Sequence, residues 1–136
     1  IPHAVCGGIA VTLHGATRST KDIDVLVARE HVARILEIVR PLGYEFAALP
    51  MAFDRGTDRE RHVQRVSKVE GEHHMILDLL IAEASFAGFL DDRIQVVLPE
   101  GPLSVVSRPT LVRMKRLAGR AQDIADLEKL EDDDGR

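Results

Sequence analysis

Asp22-Ile23-Asp24-Val25-Leu26-Val27 is the stretch on which the reading of this chain turns. Ile23, Val25 and Val27 alternate with Asp22, Asp24 and Leu26, the period-2 pattern of a β-strand. The alternation puts both aspartates on one face, with Cα atoms roughly 6.5–7 Å apart at the usual rise per residue. Two carboxylates so placed can converge on one cation.

Upstream, residues 4–13 are apolar and short-side-chained, with Gly7-Gly8 inside them. Glycine is poor in a helix interior and good at turns and close backbone approaches. The pattern predicts a helix that starts near the glycines and ends at His14-Gly15, then a polar loop over 16–21. Backbone N–H groups at such a helix start, aided by the helix dipole, can cradle a phosphate.

Downstream, Val32, Ile35, Leu36 and Val39 follow the i, i+3, i+4, i+7 rule, which predicts an amphipathic helix over 30–40, ended by Pro41 and Gly43. Strands are expected near 45–49, 62–69 and 75–81, with a mobile charged loop over 54–61 and a hairpin turn at Gly71-Glu72. Two short strands, 93–98 and 103–106, follow around Pro99-Glu100-Gly101-Pro102. Ser107 caps a helix with Pro109 near its start, lined inside by Leu111, Met114, Leu117 and Ala118. After Gly119, the residues Ile124, Leu127 and Leu130 mark a last helix. This order implies an α+β fold, a mixed sheet with helices packed on one face.

Asp78 stands alone in the apolar run Met75-Ile76-Leu77-Asp78-Leu79-Leu80-Ile81. An ionised carboxylate there needs positive compensation. One source is an ordinary ion pair with a neighbouring strand, for which Arg65 is the candidate. The other is a cation shared with Asp22 and Asp24. Three carboxylates about 5 Å apart would repel by roughly 3 kcal/mol per pair at an effective dielectric near 20, a cost no structural core requires. A divalent ion offsets it, and all-oxygen ligands suit magnesium. The same residues do not make an EF-hand, and neither a GxGxxG nor a Walker sequence is present. His73-His74 would point to opposite faces of a strand, so zinc is a poor fit.

The 136 residues suffice for one domain, expected over 1–130, with the acidic run from Glu131 as a solvated tail over 131–136. The composition is that of a soluble globular protein, with no run near the length of a membrane span. Net charge −4 argues against a broad nucleic-acid-binding surface. The single cysteine, Cys6, has no internal partner, and a reducing cytoplasm is the expected compartment. The sequence starts at Ile1-Pro2 without a Met, which leaves an upstream helix as an expectation.

Two small residues, a gap, an acidic-apolar-acidic triplet and a later lone acid on a strand resemble the pattern of the polymerase-β-like nucleotidyltransferase superfamily. Gly7-Gly8-Ile9-Ala10 with Gly15-Ala16-Thr17-Arg18-Ser19-Thr20-Lys21-Asp22-Ile23-Asp24 is similar to its small bacterial branch, AbiEii-type toxins and minimal nucleotidyltransferases. Lys115, Ala118 and Arg120, then Asp123, Asp126 and Leu127, resemble that branch's C-terminal motif. The resemblance implies that Asp22 and Asp24 bind Mg2+ and that Asp78 completes the metal site and activates an acceptor hydroxyl. It implies that Gly7 and Gly8 contact a nucleoside triphosphate, ATP among them, with Thr12, Arg18 and Thr20 on the phosphate side. Many relatives carry Ser where this chain has Gly8. Lys115 and Arg120 are candidates for the basic side of the pocket or, equally, ordinary exposed helix cations, and Asp123 is expected to cap the last helix or pair with Arg120.

The function so implied is transfer of a nucleoside monophosphate to a hydroxyl on RNA, protein or a small molecule, with a place in a toxin–antitoxin system. The alternative is a non-catalytic antitoxin or regulatory module that binds a cognate toxin. A second copy in a homodimer, a partner protein or the acceptor itself would complete the acceptor surface.

Overall fold

The computed structural model describes residues 1–15 and 22–134, the side chains of 131–134 excepted. Its elements run β1 (His3–Cys6), α1 (Gly7–Leu13), β2 (Ile23–Val27), α2 (Val32–Val39), β3 (Phe46–Ala47), β4 (Met51–Phe53), β5 (Arg61–Glu70), β6 (His73–Ile81), β7 (Ile94–Leu98), β8 (Gly101–Val105), α3 (Arg108–Ala118) and α4 (Ala121–Asp134). Among the described residues the strands form one mixed sheet in the order β3-β5-β6-β2-β1-β8-β7, with β4 also paired to β5. β2 runs parallel to β6 and β1 parallel to β8, while the other pairs are antiparallel. No helix among the described residues is long and apolar enough to cross a membrane.

The period-2 alternation divides the core into two layers. On one face, Val25 and Val27 of β2, Val66 of β5, and Leu77, Leu79 and Ile81 of β6 pack against Val32, Ile35, Leu36 and Val39 of α2. On the other face, Ala4, Cys6 and Leu26 meet Ala10 and Val11 of α1, Leu111 and Met114 of α3, and Leu130 of α4. The expected α+β mixed sheet is present, and α1, α3 and α4 share a face as anticipated. α2 covers the opposite one. The cause is register: odd-numbered apolar residues of β2 need a partner on the side away from the aspartates.

Local signals set the boundaries. Ser107 accepts from the Thr110 amide at 3.2 Å and starts α3. Gly119, at φ 64°, ends it in the left-handed region. The hairpin joins β5 to β6 through Gly71-Glu72, as its sequence predicts. Residues 54–60, expected to be mobile, form hydrogen-bonded turns. Arg59 reaches from them to the Arg116 and Leu117 carbonyls at the end of α3, at 2.6 and 3.0 Å.

Candidate active site

Strand register brings the site together. Cys6 lies opposite Asp24, Asp24 opposite Asp78, and Asp78 opposite Arg65, one row across β1, β2, β6 and β5. Adjacent strands lie about 4.8 Å apart, so the two aspartates are neighbours on one surface. The row floors a cavity of about 460 Å3, large enough for a small ligand. Gly7, Gly8, Asp22, Asp24, Arg65 and Asp78 line its sheet side. Lys115, Arg120, Gln122 and Asp123 line its helix side.

Gly7 has a sharper role than a phosphate turn alone would give it. Its φ is 64°, and a Cβ there would fall 2.0 Å from Asp24 Oδ2. Only the absence of a side chain lets the Asp24 carboxylate sit over the turn. Burial, then the charges of Asp78 and Asp22, push Asp24 up to about 6, with Lys115 and Arg120 pulling the other way. One pKa unit is about 1.4 kcal/mol, so charging Asp24 here costs roughly 3 kcal/mol relative to water.

Asp78 is held by Arg65, whose Nε donates to Oδ1 at 2.8 Å and Nη2 to Oδ2 at 3.0 Å. This is the ion pair weighed from the sequence, yet it is not turned away from the glycines. Both partners line the same cavity as Gly7 and Asp24. The ion pair expected from the sequence is present, on the wall that also carries Asp22 and Asp24.

The two cations of the helix side are held differently. Lys115 is buried, with Nζ 3.1 Å from Asp123 Oδ1 and 3.0 Å from Asp126 Oδ2. It is not an exposed helix cation: it lines the cavity while pairing with both carboxylates. Arg120 stays exposed and donates through Nε to Asp123 at 2.7 Å. Asp123 also accepts from the Arg120 amide at 3.1 Å, so it both caps α4 and pairs with Arg120, as expected. Burial raises the Asp123 pKa, but the Arg120 hydrogen bond and the Lys115 charge outweigh it and leave Asp123 below its ordinary value.

Thr12 is exposed outside the cavity lining, and its hydroxyl donates to the Gly8 carbonyl at 3.2 Å, a helix-internal contact. His14, through Nε2, lies 2.9 Å from the Val106 carbonyl and serves packing. Arg18 and Thr20 lie outside the described residues. The sequence reading missed the cavity's far wall, Met51 and Phe53 of β4 with Arg61 and Val63 of β5. A three-residue strand leaves no periodicity to detect. The earlier clue was only that Phe53 and Arg61 flank a charged loop.

Among the described residues no set of three or more carboxylate, imidazole or thiol groups is disposed to enclose a metal ion. Magnesium does not require one, since it takes one or two protein carboxylates and completes its shell with water and phosphate oxygens. The like-charge pressure on Asp24 is what a bound cation would relieve, so Asp24 with Asp22 fits such an ion.

No protein-family model matches this chain, and no curated protein sequence matches it. Solved structures do. TM1012 of Thermotoga maritima, provisionally described as a nucleotidyltransferase, aligns with 96% of this chain and 82% of its own, at 16% identity and TM-score 0.58. The antibiotic-resistance factor ANT(2'')-Ia aligns with 95% of this chain and 72% of its own, at 14% identity and TM-score 0.54. The lincosamide antibiotic adenylyltransferase LnuA covers 95% and 85%, at 17% identity and TM-score 0.49. What is shared at such identities is architecture, and the architecture is the nucleotidyltransferase fold.

Proposed function

We propose that this protein is a magnesium-dependent nucleotidyltransferase that moves a nucleoside monophosphate from a nucleoside triphosphate, ATP among the candidates, to a hydroxyl acceptor. The carrying observation is Asp24, seated over Gly7 beside Asp78 on one cavity and held at an energetic disadvantage by burial and its acidic neighbours. A purely structural core gains nothing from that arrangement.

Asp22 and Asp24 would hold the magnesium, which when bound neutralises charge on the triphosphate. Gly7 and Gly8 would present backbone to the phosphates at the end of the cavity where a side chain is excluded. The acceptor oxygen attacks the α-phosphorus and forms the new P–O bond. The bond from the α-phosphorus to the bridging oxygen breaks, and its electron pair leaves with pyrophosphate. Asp78, oriented by the two Arg65 hydrogen bonds, stands next to Asp24 to take the acceptor's proton. Lys115 and Arg120, both in the cavity lining, would offset phosphate charge from the helix side while paired with Asp123. The single cysteine, Cys6, is buried and unpaired, which fits a cytoplasmic protein.

A second reading, a nucleotidyltransferase-like antitoxin or other binding module related to the AbiEii-type branch, is favoured by one observation: the Arg65 clamp occupies both Asp78 oxygens. Incubation with labelled nucleoside triphosphates, Mg2+ and hydroxyl acceptors separates the two. Transfer by the wild type, lost in Asp24→Ala, supports the enzyme. No labelling, with no rise in melting temperature at millimolar Mg2+ and nucleotide, removes it, because a ligand bound only by the folded state must stabilise that state.

A further inference from the structure

One end of the cavity is fastened by hydrogen bonds. Phe53 and Arg61 line it from β4 and β5, and Ala118 and Arg120 from the turn between α3 and α4. Residues 54–60, which join β4 to β5, cross from the first wall to the second. Arg59 donates through Nη2 to the Arg116 carbonyl at 2.6 Å and to the Leu117 carbonyl at 3.0 Å. Its Nε donates to Leu117 again, at 3.2 Å. The last carbonyls of a helix lack partners within it and carry partial negative charge, so a cation fits there. The guanidinium also lies against the turn itself, since a Cβ on Gly119 would be 3.3 Å from Arg59 Nη2.

The two ends of this segment are held on different terms. At its base, Ser85 donates to the Glu60 carbonyl from its amide at 3.1 Å and its hydroxyl at 2.7 Å. Arg61 belongs to the base as well. It pairs with Asp54 at 2.7 Å and donates to the Arg59 carbonyl at 3.2 Å, leaving only a 3.3 Å contact for Leu117. Inside the segment, the Glu60 carboxylate accepts from the Gly56 amide at 2.8 Å, and the Thr57 hydroxyl donates to the Asp54 carbonyl at 2.6 Å. The turns therefore keep their own shape and can move as a unit. Arg59 at the far end is exposed, and hydrogen bonds there exchange for water at little net cost.

We propose that residues 54–59 form a strap, latched to the end of α3 by Arg59 and hinged where Ser85 holds Glu60. Release of the latch opens the cavity between β4 and α3 to its ligand. Met114, buried on α3 and part of the lining, is what such opening exposes. The strap stands on its hydrogen bonds alone, whereas the choice of a nucleotide as ligand rests on the nucleotidyltransferase reading.

The test places a thiol in the cavity wall by Met114→Cys and follows its modification by N-ethylmaleimide in the whole chain, with Arg59 present or replaced by Arg59→Ala. Cys6, fully buried in the sheet, reports global loosening in the same sample. Modification at position 114 should run about tenfold faster with Arg59→Ala, while Cys6 stays unmodified in both, because a local opening changes access only where it occurs. Equal rates at position 114, or Cys6 reacting alongside it, overturn the latch. Should Met114→Cys not fold, Ala118→Cys one turn on serves as the reporter. Stopped-flow binding of a fluorescent ATP analogue with Mg2+ then tests the gate. Arg59→Ala should raise association and dissociation rates together by about fivefold, since a required opening slows both. Faster dissociation alone would make Arg59 a ligand contact and overturn the gate. No nucleotide binding by either chain removes the transferase reading, and the modification rates then decide the strap by themselves.

Discussion

Two groups of ionised side chains face each other across the cavity, and they are built on opposite terms. On the helix side Asp123 and Asp126 are matched by Lys115 and Arg120, two charges against two, with contacts of 2.7–3.1 Å. On the sheet side Asp24 lies beside Asp78, both of whose oxygens are taken by Arg65. Asp123 is pulled below its ordinary pKa and Asp24 is pushed above it. The first group is balanced and holds α3 to α4. In the second, burial and the neighbouring acids make Asp24 costly to ionise, a cost that a cation placed beside it would lower.

The contrast breaks most decisively at Lys115. Lys115→Met keeps the length of the side chain and removes the cation from two buried carboxylates. Stranding a buried charge costs about 3–5 kcal/mol, so the urea midpoint should fall accordingly. A loss below about 1 kcal/mol would mean that the cluster is wet and that the balance described above is not what joins the helices.

Asp24→Asn should move stability the other way. The folded-state pKa, about 6, lies above the ordinary 3.8, so the folded protein holds this proton more tightly than the unfolded chain. That contribution is complete below about pH 4 and is lost as pH rises through 6. The neutral amide removes the penalty, so the variant should be more stable than wild type by roughly 3 kcal/mol at pH 8 and equal to it near pH 3.5. Millimolar Mg2+ should shrink the difference at pH 8 by stabilising only the wild type. Denaturant titrations at both pH values test this, and equal stability at pH 8 would remove the claim of a strained carboxylate.

Much of this contrast was legible in the sequence, but unevenly. The face shared by Asp22 and Asp24 followed from alternation alone, and the Asp78–Arg65 pair from a buried acid's need for a cation. The helix over 30–40 was readable from its apolar stripe, but not the face of the sheet it would cover, which depends on β2 register. Lys115 escaped for a related reason. A lysine on a helix reads as solvent-exposed, and its burial depends on Asp123 and Asp126 arriving from a second helix. β4 was illegible because three residues carry no period, and with it went the cavity wall formed by Met51 and Phe53.

Gly7 ties the raised Asp24 to the backbone. Gly7→Ala forces a β-carbon into the left-handed region, at about 1–2 kcal/mol, and drives it against Asp24. A total near 2 kcal/mol is expected after Asp24 gives way. In an Asp24→Gly background the same substitution should cost only the backbone strain, and the difference between the two is their coupling. Strict additivity would show that Asp24 does not rest over the turn.

Arg65 sets the smallest expected change in stability and separates structure from chemistry. Its side chain is 40% exposed, so the ion pair is screened, and Arg65→Lys should lower stability by about 1 kcal/mol or less. Lysine restores the charge but not the two parallel hydrogen bonds, leaving the Asp78 carboxylate free to rotate. If Arg65 positions Asp78 for the acceptor, the variant should bind nucleotide and Mg2+ with unchanged affinity, measured by calorimetry, while kcat falls about tenfold or more. A fall in nucleotide affinity with kcat preserved would place Arg65 on the phosphate side and remove its role in positioning Asp78.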